Sequence, residues 1–438
     1  MPAIGLPTTV NPHLRRVLAA AGARLRVGSA VRDAQGRLLL EAGAPLSADA
    51  LATLAGAGPL QAPLESVLIL DDALDAAQLA AQAAHQIDTS PALAHILAAC
   101  GGIAPELLTF LRELRLSAPI AALLTIGPSH EHCVLVSLLA GGFARALGLS
   151  EDDQRSAVAA GLLHDLGELY VHPAALTGGR ALQAQEWSQA VSHPRIGQML
   201  VNELDHFPLA VGRAVAEHHE RFNGTGYPRQ LDGGAISGPG RAVGVAEMIA
   251  GLLVKDQPLA RAELALKIVP GEHPPALVSV LSAALRAAGA EDAGDGGDGL
   301  DVERLYWRIA SAQQATQTLL AGAADRDPRA NAMLERTLER IGTIQRAFHS
   351  TGLDAWLRPG HGLADARHYL FEKDVATREI AWRLRDIARD LALHTKAGER
   401  NIFAALIKLL DADGQAAAKD EPAAAHPASF AASRPTIQ

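Results

Sequence analysis

The sequence predicts a mostly α-helical protein with a small β-rich module at its N-terminal end and a helical domain at its C-terminal end. Three observations carry this. Hydrophobic residues make up 49% of the chain but aromatic ones only 4%, so the interior is built from Ala and Leu, which favour helix packing over sheet. From about Ala73 onward the pattern turns helical, with Ala, Leu and Gln dominating. Strand-like runs bounded by turn residues occur only in the first segment. At 438 residues the chain is too long for one compact core, so two or three domains are expected.

Taken in order, residues 1–72 form the β-rich module. Leu25-Arg26-Val27 and Arg37-Leu38-Leu39-Leu40, with the turn Asp33-Ala34-Gln35-Gly36 before the second run, predict a hairpin. Ser66 to Leu70 adds a strand, and Ser47 to Leu54 a short helix capped by its serine. No chemical cluster falls in this module, so it reads as a packing appendage. Residues 73–127 are a helical connector broken at Pro91 and Gly101-Gly102. A compact helical domain follows over 128–287. The stretch 288–300 is an acidic, Gly-rich hinge whose spacing misses the EF-hand loop. Residues 301–410 read as a second helical domain or dimerisation bundle, consistent with a homodimer, and 411–438 as a disordered tail.

Composition excludes several classes. A net charge of −9 with no Lys/Arg-rich run argues against polymeric nucleic acid, which requires a basic patch to displace counterions. Two cysteines, Cys100 and Cys133, make no disulfide framework and point to a reducing compartment. The start, Met1-Pro2-Ala3-Ile4-Gly5-Leu6-Pro7, lacks the order of a signal peptide, and the apolar stretches are interrupted or too short for a membrane span. A cytoplasmic protein is expected.

The chemistry lies in the domain 128–287. His132 shares a helical face with Val136, Leu139 and Phe143, Asp165 with Val158 and Leu162, His193 with Ile196 and Leu200, and His218 and His219 with Val211 and Val215. Glu247 lies on a face with Val243 and Ala250. His164 precedes Asp165 directly. A carboxylate aimed at a core must be paired, hydrogen-bonded or metal-bound. Any one of these residues alone is more simply a core histidine or edge carboxylate; seven on converging faces point to metal. Imidazoles suit iron, manganese, zinc or nickel better than magnesium or calcium. A bridging carboxylate such as Asp165 holds two cations with a water or hydroxide between them as nucleophile toward a phosphodiester. Asn223, Gly224 and Gly226 tolerate positive φ, so the chain turns after His218-His219 and presents Tyr227 beside the site.

His164-Asp165, His193-Pro194, His218-His219-Glu220 and Asn223-Gly224-Thr225-Gly226-Tyr227-Pro228 together resemble the HD-GYP branch of the HD phosphohydrolases, over about Pro128 to Leu285. The resemblance implies an all-helical domain in bacterial signalling with a two- or three-metal site, hydrolysing cyclic di-GMP. It implies that His132, His164, Asp165 and Glu247 hold one metal, and Asp165, His193, His218 and His219 the next. It also implies contacts between the Gly-Tyr-Pro loop and diguanylate cyclase domains.

The chain departs from the family pattern in three places. Glu168 follows His164-Asp165-Leu166-Gly167 where the family has a lysine, and would repel an anionic substrate. Pro128 stands where trinuclear members carry a glutamate ligand, leaving two ions, with iron or manganese favoured. Lys255, with Arg261, is what remains of a basic stretch that would contact substrate. The leading reading is a binuclear cyclic dinucleotide phosphodiesterase with Asp165 as its central catalytic residue. A metal-holding signalling module without turnover, and a hydrolase of another phosphoester, are the alternatives.

Overall fold

The computed structural model describes residues 6–127, 129–176, 184–289, 301–322, 327–353, 366–396 and 400–411. Pro128, most of the acidic hinge and nearly all of the tail fall outside them. The fold is predominantly helical, with two small two-stranded sheets confined to the N-terminal segment.

Pairing in that segment differs from the predicted hairpin. Leu25–Val27 pairs antiparallel with Leu68–Leu70, and Leu38–Leu40 pairs instead with Val31–Arg32 across the Asp33 to Gly36 turn. The Asp33 carboxylate accepts from the backbone of Gln35 and Arg37 and closes that turn, so the local turn selects the nearest strand and leaves Leu25–Val27 to a distant partner. The helix Ala48–Gly56 is capped by Ser47, whose Oγ accepts from Ala50 N at 3.1 Å.

One hydrophobic core runs from Leu6 to Ala284 and is dominated by Leu, Ala, Val and Ile. The N-terminal module is therefore packed on the same interior as the central helices. Buried Glu65 accepts from the Tyr170 hydroxyl, tying the module to the segment just after Asp165. Cys100 and Cys133 are free and buried, and burial pushes both thiols up to about 12, so both are inert core groups.

The helices His130–Ala146, Glu151–Leu163, Leu209–Glu217 and Gly238–Leu253 pack on one another at the centre, and His193–Leu204 joins them through Leu209–Glu217. Buried Ser137 donates to Val158 O at 2.7 Å and pins the first two together. A second core gathers the helices Val302–Ala321, Pro328–Ser350, Ala366–His394 and Arg400–Leu410 with Ile268 and Val269 of the preceding region. Asp301 and Asp327 cap the first two of these helices. Among the described residues no single helix is long and apolar enough to cross a membrane.

Candidate metal centre

Each predicted ligand reaches the centre from the end or inner face of a helix. The helix Glu151–Leu163 stops just before His164 and Asp165, and a 3-10 turn over Leu166–Tyr170 follows. His193 opens the helix His193–Leu204; Ser192 makes no cap, its Oγ donating instead to Gln189 O at 2.6 Å. The helix Leu209–Glu217 ends at His218. His132 and Glu247 sit within the helices His130–Ala146 and Gly238–Leu253.

The structure brings all seven together. His132 Nε2 lies 2.8 Å from Glu247 Oε2, and His164 Nε2 lies 3.1 Å from the same oxygen and 2.9 Å from Asp165 Oδ2. The other oxygen, Asp165 Oδ1, is 3.6 Å from both His193 Nε2 and His218 Nε2. Asp165 thus divides its two oxygens between two groups, His132, His164 and Glu247 on one side and His193, His218 and His219 on the other.

The orientation of the rings tests whether the donors fit metals. His164, His193 and His218 each direct Nδ1 at the carbonyl three residues earlier, Gly161, Ala190 and Val215, at 2.8, 2.6 and 2.6 Å. A carbonyl only accepts, so Nδ1 carries the hydrogen and Nε2 is the ring nitrogen left to ligate. His193 Nε2 and His218 Nε2 then face each other at 3.1 Å. Burial first, and then the neighbouring imidazoles, lower His193 and take His218 to about 3, so neither ring supplies a second proton at neutral pH. Buried His164 Nε2 has no hydrogen-bond partner despite its two carboxylate neighbours. Opposed lone pairs and a carboxylate field are what a divalent cation satisfies, and the mixed N and O donors fit a borderline ion. The same field acts on protons: burial disfavours charge on His164, but Asp165 and Glu247 override it and hold its pKa well above the usual value.

Tyr227 stacks on His219, with ring centroids 4.5 Å apart and planes 25° apart, and meets Trp187 edge-on at 5.3 Å. Gly224 takes φ 75° in the turn before it. Two carboxylates that the sequence reading passed over anchor this loop. Glu220 accepts from the backbone N–H of Arg229 and Leu231 at 2.8 and 2.9 Å, and buried Glu217 accepts from Arg229 and from Ser237 N. Their signal was present, since an acidic residue on either side of a buried His pair requires partners.

The C-terminal bundle also reaches the loop. Gln230 donates to Asp390 at 2.9 Å, Leu393 packs against the buried cluster of Val171, Ala175, Trp187 and Ala190 that Tyr227 also joins, and Arg383 binds buried Glu272 through Nε at 2.8 Å. Glu272 O in turn accepts from Phe222 N at 3.0 Å.

Three predicted substrate-side features fall differently. Lys255 is exposed just past the end of the helix Gly238–Leu253, outside the cluster. Arg261 is held by Asp256 and Asp374 at 2.9 and 3.3 Å, so its charge is consumed in packing against the C-terminal bundle. Glu168 does not stand off as a substrate-facing charge. It is drawn toward Asp165 and His193, because the residues after Asp165 form a 3-10 turn rather than a continued α-helix.

Gly167 makes that turn possible. A Cβ there would lie 2.0 Å from His193 O and 2.8 Å from Gly197 N, so only glycine lets the turn seat against the start of the helix His193–Leu204. Gly167→Ala is expected to destabilise the protein by about 1–3 kcal/mol and to weaken metal uptake, checked by urea unfolding and by metal analysis of the same preparation.

The family described as HD domain matches residues 115–268, a span beginning before Pro128 and ending before Ala287. The chain is 38% identical over 119 residues to the cyclic di-GMP phosphodiesterase response regulator RpfG of Xanthomonas campestris pv. campestris, covering 27% of this chain and 32% of that protein. It is 33% identical over 124 residues to 3'3'-cGAMP-specific phosphodiesterase 3 of Vibrio cholerae, covering 28% and 26%. It is 32% identical over 120 residues to a cyclic di-GMP phosphodiesterase of Thermotoga maritima, covering 27% and 33%. The matches span about a third or less of each of these relatives. Together with the His164-Asp165 pair and the Gly-Tyr-Pro loop beside it, they show that residues 115–268 carry an HD domain similar to the HD-GYP type of these relatives, with Glu168 after His164-Asp165-Leu166-Gly167.

Proposed function

We propose that the chain is a metal-dependent phosphodiesterase of cyclic dinucleotides, cyclic di-GMP foremost, working through a binuclear iron or manganese centre in the cytoplasm. The observation that carries this reading is the division of Asp165, whose Oδ2 faces His164 and whose Oδ1 faces His193 and His218. One side chain can thereby hold two ions in register. The ions, when bound, supply Lewis acidity, an activated water and charge compensation toward a phosphodiester.

The chain's own groups do the rest. The carbonyls of Gly161, Ala190 and Val215 fix three imidazoles in the tautomer that ligates. His132 and Glu247 close the first group, and His219 completes the second with Tyr227 stacked over it. Tyr227 and Lys255 are assigned to substrate binding, Tyr227 as an aromatic face for a base and Lys255 as a peripheral cation. The loop that carries Tyr227 is the assigned contact for a diguanylate cyclase domain, the C-terminal bundle that for a second copy of the chain. The boundaries at 72, 127, 287 and 410 belong to the same reading.

The test is anaerobic purification with iron or manganese, metal counting, and product analysis on cyclic di-GMP and 3'3'-cGAMP. About two ions per chain and a linear dinucleotide or mononucleotide product are expected. Nucleotide binding by calorimetry without turnover would favour the second reading, a signalling module that keeps its metals. That reading is motivated by Arg261, which Asp256 and Asp374 withhold from substrate.

A further inference from the structure

The geometry assigns Glu168 to the metal centre: its carboxylate is a ligand for the divalent cation that Asp165 and His193 hold. This rests on the reading above, in which those two residues bind metal. It goes beyond it by giving a ligand's role to the position where a substrate-contacting lysine would stand.

One oxygen of Asp165, one of Glu168 and one ring nitrogen of His193 lie within 4.8 Å of one another. The local backbone sets this up. Glu168 N donates to Asp165 O at 2.9 Å, closing a 3-10 turn. Three residues per turn eclipse side chains at i and i+3, so Asp165 and Glu168 leave the backbone along one edge. In a continued α-helix the same residues would diverge by about 60°. The close seating at Gly167 then sets the distance from this edge to His193.

Asp165 is 2% exposed, Glu168 is half-buried beside it, and two carboxylates brought together in a desolvated corner repel each other. A divalent ion between them offsets both charges and takes the His193 lone pair as its nitrogen donor. Two oxygens and one imidazole shift the preference of this corner toward manganese or iron and away from softer ions. The charge of Glu168 is then spent on the metal, which removes the repulsion toward an anionic substrate that the bare sequence implies.

The test is calorimetric titration of the metal-free full-length chain with Mn²⁺, with bound metal counted by mass spectrometry, for the unaltered protein, Glu168→Gln and Glu168→Asp. The Gln variant keeps the shape and loses the charge; one Mn²⁺ binding event is expected to weaken by at least about tenfold. The Asp variant keeps the charge, and an affinity between those of the other two is expected, a result that also serves if the Gln variant does not fold. Unchanged affinity and stoichiometry in a folded Gln variant, beside normal uptake by the unaltered chain, overturns the assignment of Glu168 alone. No Mn²⁺ uptake by the unaltered chain overturns the binuclear reading and takes this one with it.

Discussion

Replacing Asp165 by alanine is expected to empty both halves of the metal centre at once. The other candidate ligands among the described residues each fall on one side, His132 and Glu247 with His164, and His218 and His219 with His193. Among the described residues Asp165 alone faces both, with Oδ2 2.9 Å from His164 and Oδ1 3.6 Å from His193 and His218. Its loss removes the one carboxylate, among the described residues, that faces both groups, and with it the negative charge beside His164. Bound metal should fall below one ion per chain, and phosphodiester hydrolysis by more than about 100-fold, since even residues that merely support a ligand are worth 10–100-fold. His132→Ala and His219→Ala serve as controls, each expected to retain metal in the opposite half. Elemental analysis and rate measurements on the three variants decide the matter; two ions retained by Asp165→Ala would refute the bridging role.

The second large effect lies away from the metals. Arg383→Met should cost about 3–5 kcal/mol of stability, because it leaves Glu272 buried and charged without its guanidinium. Glu272 is 4% exposed and Arg383 5%, and Nε and one terminal nitrogen both reach the same carboxylate oxygen. The double variant Arg383→Met with Glu272→Gln should recover part of the loss, as expected when an orphaned charge is the main penalty. The pH dependence has a definite sign. Burial pushes the Glu272 carboxyl up, but the charges of Arg383, His273 and Arg221 outweigh it and hold the pKa below the usual carboxylate range. A pKa lowered on folding gives stability that is complete above about pH 4.5 and is lost as pH falls through the folded value. Urea unfolding from pH 7 down to 3 should therefore show the unaltered protein losing stability in acid and converging on Arg383→Met.

Much of the centre was legible in the sequence because metal ligands are fixed by residue type and helical period. His132, Asp165, His193 and Glu247 lay on apolar faces, and those faces do meet. Glu168 was not legible: its direction depends on whether the chain after Asp165 continues as α-helix or tightens to 3-10, and the residues Leu166 to Tyr170 allow either. The spent charge of Arg261 was hidden for another reason. Asp374 lies 113 residues away, and nothing local announces such a pair. The partner of Leu25–Val27 was lost in the same way, since strand pairing across residues 25–70 depends on what the intervening turn has already claimed.

The contact between the long helix Ala366–His394 and the Gly-Tyr-Pro loop ties the candidate metal centre to a distant part of the chain. Asp390 grips Gln230, Leu393 packs against the Trp187 cluster that Tyr227 also joins, and Arg383 holds the residue from which Phe222 hangs. The helix is a strut whose end packs into the same cluster as the ring that covers His219. A tilt of the bundle would thus reach the loop through Gln230 and the Trp187 cluster, without touching the histidines directly.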